Sequence, residues 1–120
     1  MATRKHRIEG ATIVDELTVA GPLFLQRRES HDSTYTVLLD DVIVAVTRTA
    51  HGASTVTIPT LGTINRRVLI IDDAGLNANV NNITIATEAS EKIDGSDTAI
   101  INSAGGSLRL YSDGTNWFTF

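Results

Sequence analysis

Thr34-Tyr35-Thr36-Val37-Leu38-Leu39-Asp40-Asp41-Val42-Ile43-Val44-Ala45-Val46 is the stretch that decides the fold class of this 120-residue chain. Tyr35, Val37 and Leu39 alternate with Thr34, Thr36 and Leu38, which places alternate side chains on opposite faces of a strand. Asp40-Asp41 interrupts the alternation, and Val42 to Val46 resumes it as an apolar run. The two runs read as a hairpin, although Asp-Asp is a weaker turn signal than Asp-Gly.

The same grammar extends in both directions. Toward the C-terminus, Val56 and Ile58 alternate with Thr55 and Thr57 before Pro59. Val68 to Ile71 is a continuous apolar run, as expected of a strand buried on both faces. Ile83 and Ile85 flank Thr84, Ala99 to Ile101 follows, and Leu108 and Leu110 alternate with Arg109 and Tyr111. Asp94-Gly95, Gly105-Gly106 and Asp113-Gly114 punctuate these runs as turns. The four Asn residues between Asn77 and Asn82 read as a turn-rich loop, because Asn tolerates left-handed backbone angles. Roughly ten short strands at this spacing predict an all-β domain: an antiparallel β-sandwich, a jelly roll or a β-barrel. The best helical candidate, Ala86 to Ile93, is short at most, and no long repeat stands out.

Toward the N-terminus the pattern thins. Ile13, Leu17 and Val19 belong to one run, Gly21-Pro22 breaks it, and Leu23-Phe24-Leu25 leads into Arg27-Arg28-Glu29. The polar stretch from Glu29 to Ser33 reads as a linker. The expected organisation is an extended N-terminal arm over 1–33 and a β-rich core over 34–120, a normal domain size.

Composition agrees with a folded unit. Hydrophobic residues make up 42% of the chain, which argues against disorder. With one Trp, two Tyr and three Phe, the core must rest on Ile, Val, Leu and Ala. There is no cysteine, which rules out disulfides, thiolate nucleophiles and Cys-based zinc sites. The net charge of −4 disfavours a globally basic nucleic-acid binder. The basic head Arg4-Lys5-His6-Arg7 is instead a candidate for docking on an acidic partner surface, together with Arg27 and Arg28. No apolar stretch follows that head as in a signal peptide, and no run approaches a membrane span, so a cytoplasmically made product without membrane contact is expected.

The side chains offer little chemistry. His6, His31 and His51 lack the spacing of a zinc helix. Asp72, Asp73, Asn77 and Asn79 do not follow the calcium-loop pattern and read as turn residues. Asp40 and Asp41, adjacent on a strand, would point to opposite faces and make a poor acid–base pair. No Gly-x-Ser-x-Gly or phosphate-binding loop is present. A non-enzymatic protein without a cofactor is expected. Arg66 and Arg67 precede the most apolar strand, where an outward Arg could pair with an acid on a neighbouring chain. Trp117 fits either a core position or an interface anchor, and Trp117, Phe118 and Phe120 finish the chain.

Order and motifs from Tyr35 to Phe120 resemble a β-rich module of tailed-bacteriophage structural proteins, of both tail-fibre and head-decoration types. The resemblance rests on Thr55-Val56-Thr57-Ile58-Pro59, Arg67-Val68-Leu69-Ile70-Ile71-Asp72-Asp73-Ala74-Gly75, Asn82-Ile83-Thr84-Ile85 and Ile93-Asp94-Gly95. Its most specific piece is the closing Ser112-Asp113-Gly114-Thr115-Asn116-Trp117. It implies a homotrimer and no catalytic residues. The expected role is capsid decoration (cement): binding the major capsid protein or other virion proteins on the outer capsid surface. A short tail-fibre or tail-tip component that binds a host receptor or carbohydrate is the alternative. Arg66, Arg67, Trp117 and Phe118 are the candidate inter-subunit contacts.

Overall fold

The computed structural model describes residues 20–48, 52–60 and 66–120. These form nine strands and no helix: β1 (Arg27–Ser30), β2 (Thr34–Thr36), β3 (Ile43–Val46), β4 (Ser54–Ile58), β5 (Val68–Asp73), β6 (Ile83–Thr87), β7 (Thr98–Ile101), β8 (Ser107–Ser112) and β9 (Trp117–Thr119). The apolar run at 11–19 and the segment 61–65 lie outside the described residues.

Through β6, consecutive strands alternate between two sheets, ordered β1-β3-β5-β8-β9 and β2-β4-β6-β7. β1, β3 and β5 run parallel to one another, and so do β2, β4 and β6. Parallel neighbours cannot be joined by a tight turn and need a crossover. In this chain the crossover from each strand to its parallel neighbour passes through a strand of the other sheet. The pairs β1–β2, β3–β4 and β5–β6 therefore stack as three rungs, the construction principle of a β-helix. The last three strands reverse direction: β7 pairs antiparallel with β6, β8 with β5, and β9 with β8.

The all-β expectation is met, but the antiparallel architecture is not: the first six strands are a parallel stack. The correction begins at the opening stretch. β2 and β3 do not form a hairpin, because they lie in different sheets. Between them Asp41 folds inward. The Asp41 amide donates to the Leu38 carbonyl at 3.1 Å, and its carboxylate accepts the Leu38 amide at 2.8 Å. The bend becomes an arch that carries the chain across the core instead of back along the same sheet.

The linker expected over 29–33 is partly strand. β1 pairs with β3 from Arg27↔Ile43 to Ser30↔Val46, and Ser30 is buried. β1 thus lies on the arm side of the expected 33/34 boundary yet pairs within the five-stranded sheet.

One layer of side chains fills the space between the sheets. Val44, Val46, Leu69, Ile71, Leu110 and Trp117 come from the five-stranded sheet, and Val56, Ile58, Ile83, Ile85 and Ile101 from the other. Alternation puts these inside and most of their neighbours on the outer faces, although Ala45, between Val44 and Val46, is also fully buried. Val68 to Ile71 lies in a central strand, as expected, but only Leu69 and Ile71 are fully buried, and Val68 is exposed. The strand is covered on one face rather than two.

The antiparallel end is held by the turns the sequence announces. Asp94 and Gly95 take φ values of 49° and 82°, the paired left-handed geometry of a type I′ turn, which closes the Ile93↔Ser96 bridge. Gly106 has a packing reason: a Cβ there would lie 2.9 Å from the Ile101 Cγ2 methyl and 3.0 Å from the Ser103 carbonyl oxygen.

Candidate interaction surface

Three groups of side chains stand out: a buried ion network at the first rung, a carboxylate-capped loop at the third, and an aromatic surface at the closing strands.

The ion network is centred on Asp41, whose side chain is fully buried. The Arg28 Nε donates to its Oδ1 at 2.7 Å, and the Tyr35 hydroxyl donates to its Oδ2. Burial works against the charged carboxylate, but the bonds from Tyr35, Arg28 and the Leu38 amide outweigh it and hold the acid below its usual range. Burial, and then the bond to Asp41, push the Tyr35 hydroxyl well above the usual phenol range. The Arg67 Nη2 donates to the Leu38 and Asp41 carbonyls at 2.6 and 2.5 Å, and burial draws its guanidinium down. One acid thereby ties together β1, β2, the arch and the lead into β5.

At the third rung Asp73 is buried, and its Oδ2 accepts the amides of Asn77, Ala78 and Gly105 at 2.8, 2.9 and 3.0 Å. This is the turn role read for the Asp- and Asn-rich segment. Among the described residues, no group of three or more His, Cys, Asp or Glu is placed to hold a metal.

The aromatic surface lies on the outer face of the five-stranded sheet. Cross-strand registry places Val68, Tyr111 and Phe118 in one row. Ile43, Ile70 and Arg109 form the adjacent row, which Phe120 extends through the hydrogen bond its amide donates to the Arg109 carbonyl at 3.1 Å. Tyr111 stacks on Phe118 with ring centroids 5.5 Å apart, and Phe120 lies 5.9 Å from Tyr111. The Arg109 guanidinium sits over the Phe120 ring at 5.5 Å, a cation–π arrangement. Val68, Tyr111 and Phe120 are all exposed, Phe120 at 57%.

A second apolar feature leads into β1. Leu23, Phe24 and Leu25 are 69%, 87% and 46% exposed. Gln26 is fixed to β3 through its carbonyl, which accepts the amides of Val42 at 3.3 Å and Ile43 at 2.9 Å, so the three side chains before it project from a held base.

The residues singled out from sequence divide accordingly. Arg4, Lys5 and Arg7 lie outside the described residues. Arg27 is exposed and pairs with Glu29 at 3.0 Å. Arg28 and Arg67 serve the internal network around Asp41 rather than an outer surface. Arg66 is exposed. Trp117, at 1% exposure, is a core residue rather than an interface anchor. Phe118 joins the outer aromatic row. Sequence reasoning missed Tyr111, Phe120 and the Leu23–Leu25 triplet as surface features; alternation on β8 and β9 was the available signal for the first two.

The closing motif has a structural explanation residue by residue. The Asp113 carboxylate accepts the Thr115 and Asn116 amides, each at 2.9 Å. Asn116 Oδ1 accepts the Lys92 amide at 2.8 Å. The Asp94 amide donates to the Trp117 carbonyl at 2.9 Å, and the Trp117 amide to the Lys92 carbonyl at 2.8 Å. Asp94 also accepts the Thr119 amide and hydroxyl. The segments Ile93-Asp94-Gly95 and Asp113-Gly114-Thr115-Asn116-Trp117 therefore form one interlocked corner.

A scan against protein-family models and a search of curated proteins return no match to this chain.

Proposed function

We propose that this chain is a structural assembly protein of a tailed-phage particle: a capsid decoration protein that associates with itself and binds the major capsid lattice. The observation that carries this reading is the exposed Leu23-Phe24-Leu25 triplet on its held base. Consecutive exposed large apolar residues cost solubility and serve no fold, so they call for a partner. The aromatic face and the resemblance over Tyr35 to Phe120 support the same reading. The basic residues Arg4, Lys5 and Arg7 supply charge for an acidic particle surface. A protein that binds only the assembled shell stabilises it by mass action.

The test uses purified particles. The chain should co-sediment with intact heads, and heads lacking it should open at lower temperature or ionic strength. Removing residues 1–19 should leave the β unit folded while weakening head binding. Co-sedimentation with tails alone, or adhesion of the free protein to host cells in competition with infection, would replace the decoration role with the tail-tip one.

A further inference from the structure

We propose that residues 11–20 add a fourth rung to the open end of the parallel stack, pairing with β1 through 11–14 and with β2 through 18–20. β1 bonds to β3 through the Gln26 and Ser30 carbonyls, which accept the Ile43 and Thr47 amides at 2.9 Å each. β2 bonds to β4 through the Ser33 carbonyl, which accepts the Thr55 amide at 2.8 Å, and through the Val37 amide, which donates to the Thr57 carbonyl at 2.9 Å. Alternation turns the backbone groups of Arg27 and Glu29, and those of Thr34 and Thr36, to the other side. Among the described residues no strand pairs there. Both strands of the first rung thus leave an open edge at the same end of the stack. Natural sheets cover such edges, and repeat architectures do so with a terminal capping unit.

The chain just before β1 carries the pattern of a rung at the right distance. β1 and β3 pair at a step of 16 residues, Arg27 with Ile43. The same step back from β1 and β2 lands on Ala11-Thr12-Ile13-Val14 and Thr18-Val19-Ala20, of which all but Ala20 lie outside the described residues. Registry sets Thr34, Thr55 and Thr84 in one outer row, and Tyr35, Val56 and Ile85 in the inward row beside it. Thr18 extends the first row and Val19 the second. Thr18-Val19-Ala20 repeats the order of Thr84-Ile85-Ala86 in β6. Val14 falls on the buried Ser30, and Asp15-Glu16 on the polar connection at His31-Asp32. Six residues, 37–42, carry the chain from β2 across the core to β3. Residues 21–26 are again six, enough for the same crossing from Ala20 to β1. This short tether favours the chain's own segment over a strand from another molecule, because it keeps the segment at high effective concentration beside the edge. Arg4, Lys5 and Arg7 are thereby brought to this end of the stack.

The absence of cysteine makes a clean test possible. Thr18→Cys/Thr34→Cys and Thr18→Cys/Thr55→Cys chains are oxidised and run on a denaturing gel without reductant. In the fourth rung, position 18 stands one strand spacing from position 34, roughly 4.8 Å, and two from position 55, roughly 10 Å. A disulfide bridges Cα atoms up to about 7 Å apart. The expected result is an intrachain disulfide in the first variant and none in the second. Hydrogen exchange gives a readout without substitutions. The amides of Arg27, Glu29, Thr34 and Thr36 should be protected in the full chain and lose that protection when residues 1–19 are removed, with a lower urea midpoint. Removing residues 1–10 should change neither. Equal cross-linking to positions 34 and 55, no cross-link to either, disulfides between chains, or edge amides that exchange alike with and without residues 1–19 would each overturn the proposal.

Discussion

β1 to β6 and β7 to β9 draw on the same Ile, Val, Leu and Thr, yet they are held in register by different means. In the parallel stack, hydrogen-bonded partners are far apart in sequence and unevenly spaced: Arg27 pairs with Ile43, 16 residues on, and Ile43 with Ile70, 27 residues on. No turn can set such a register, so buried polar groups do. Asp41 gathers Arg28, Tyr35 and Leu38, and Asp73 gathers Asn77, Ala78 and Gly105. In the closing strands, turns do the work. Asp94-Gly95 and Asp113-Gly114 impose the reversals, and their side chains lock the two turns together. A parallel stack thus depends on a few irreplaceable carboxylates, whereas an antiparallel end spreads its specification over local geometry.

The largest effect should come from Trp117→Ala. Trp117 belongs to the closing half by sequence but is buried in the layer shared with the stack. Truncation should cost about 3–5 kcal/mol, a large part of the roughly 5–15 kcal/mol available to a domain. The comparison breaks here if the halves are independent. One cooperative unit predicts a single urea transition at a lower midpoint; two transitions, with the parallel stack surviving, would separate the halves.

Asp41→Ala comes next, at about 3 kcal/mol. Removing one member of a buried ion pair leaves its partner uncompensated. The loss sits at the low end because the Arg28 side chain retains 34% exposure and can recover some hydration. The same exchange at Asp113, whose carboxylate caps an exposed turn, should cost far less. Urea midpoints of the two variants measure the contrast directly, and equal losses would erase it.

This contrast also explains how much was legible. Turn pairs, strand alternation at Val56 and Ile58 or Leu108 and Leu110, and the all-β class are local properties, and a window of a few residues contains them. Asp40-Asp41 has the local look of a hairpin turn. What makes it an arch is Arg28, 13 residues earlier, and no short window holds both. β1 was hidden for the same reason: the charged cluster Arg27-Arg28-Glu29 before a polar linker does not read as a strand until Asp41 pairs with Arg28. The uneven 16- and 27-residue spacings concealed the three rungs, since a repeat is visible only when its period is fixed. At the surface, alternation alone puts Trp117 and Phe118 on opposite faces. Which face is the core depends on the sheet that β9 joins, and that is a tertiary fact.

A pH titration sharpens the comparison at the level of one proton. The Asp41 carboxyl is held below its usual range in the folded chain. A depressed acid adds stability that is present above its unfolded value, near pH 4, and lost as pH falls through the folded value. Wild type should therefore exceed Asp41→Asn by its full margin at neutral pH, with the margin shrinking below about pH 4. Urea midpoints of both proteins between pH 2 and 7 read this out. A constant margin would mean that the carboxylate charge contributes nothing and that only its shape matters.

The smallest effect is expected on the outer face of the four-stranded sheet. Registry aligns Thr34, Thr55 and Thr84 in one row that ends at Ile100, and Thr36, Thr57, Ala86 and Thr98 in the next. The hydroxyls of these threonines have no hydrogen-bond partner among the described residues, so water satisfies them. The β-branched carbons suit the strands without further contacts. This face presents mainly threonines, whereas the outer face of the other sheet exposes Val68, Tyr111 and Phe120. Thr55→Val keeps the branch and removes only a hydrated hydroxyl, so it should change stability by no more than about 0.5 kcal/mol and leave self-association untouched. Phe120→Ser, on the opposite outer surface, should leave stability similarly unchanged but abolish self-association. Sedimentation of the two variants side by side makes the comparison. If Thr55→Val disrupts assembly and Phe120→Ser does not, the threonine rows are the contact and the two faces exchange roles.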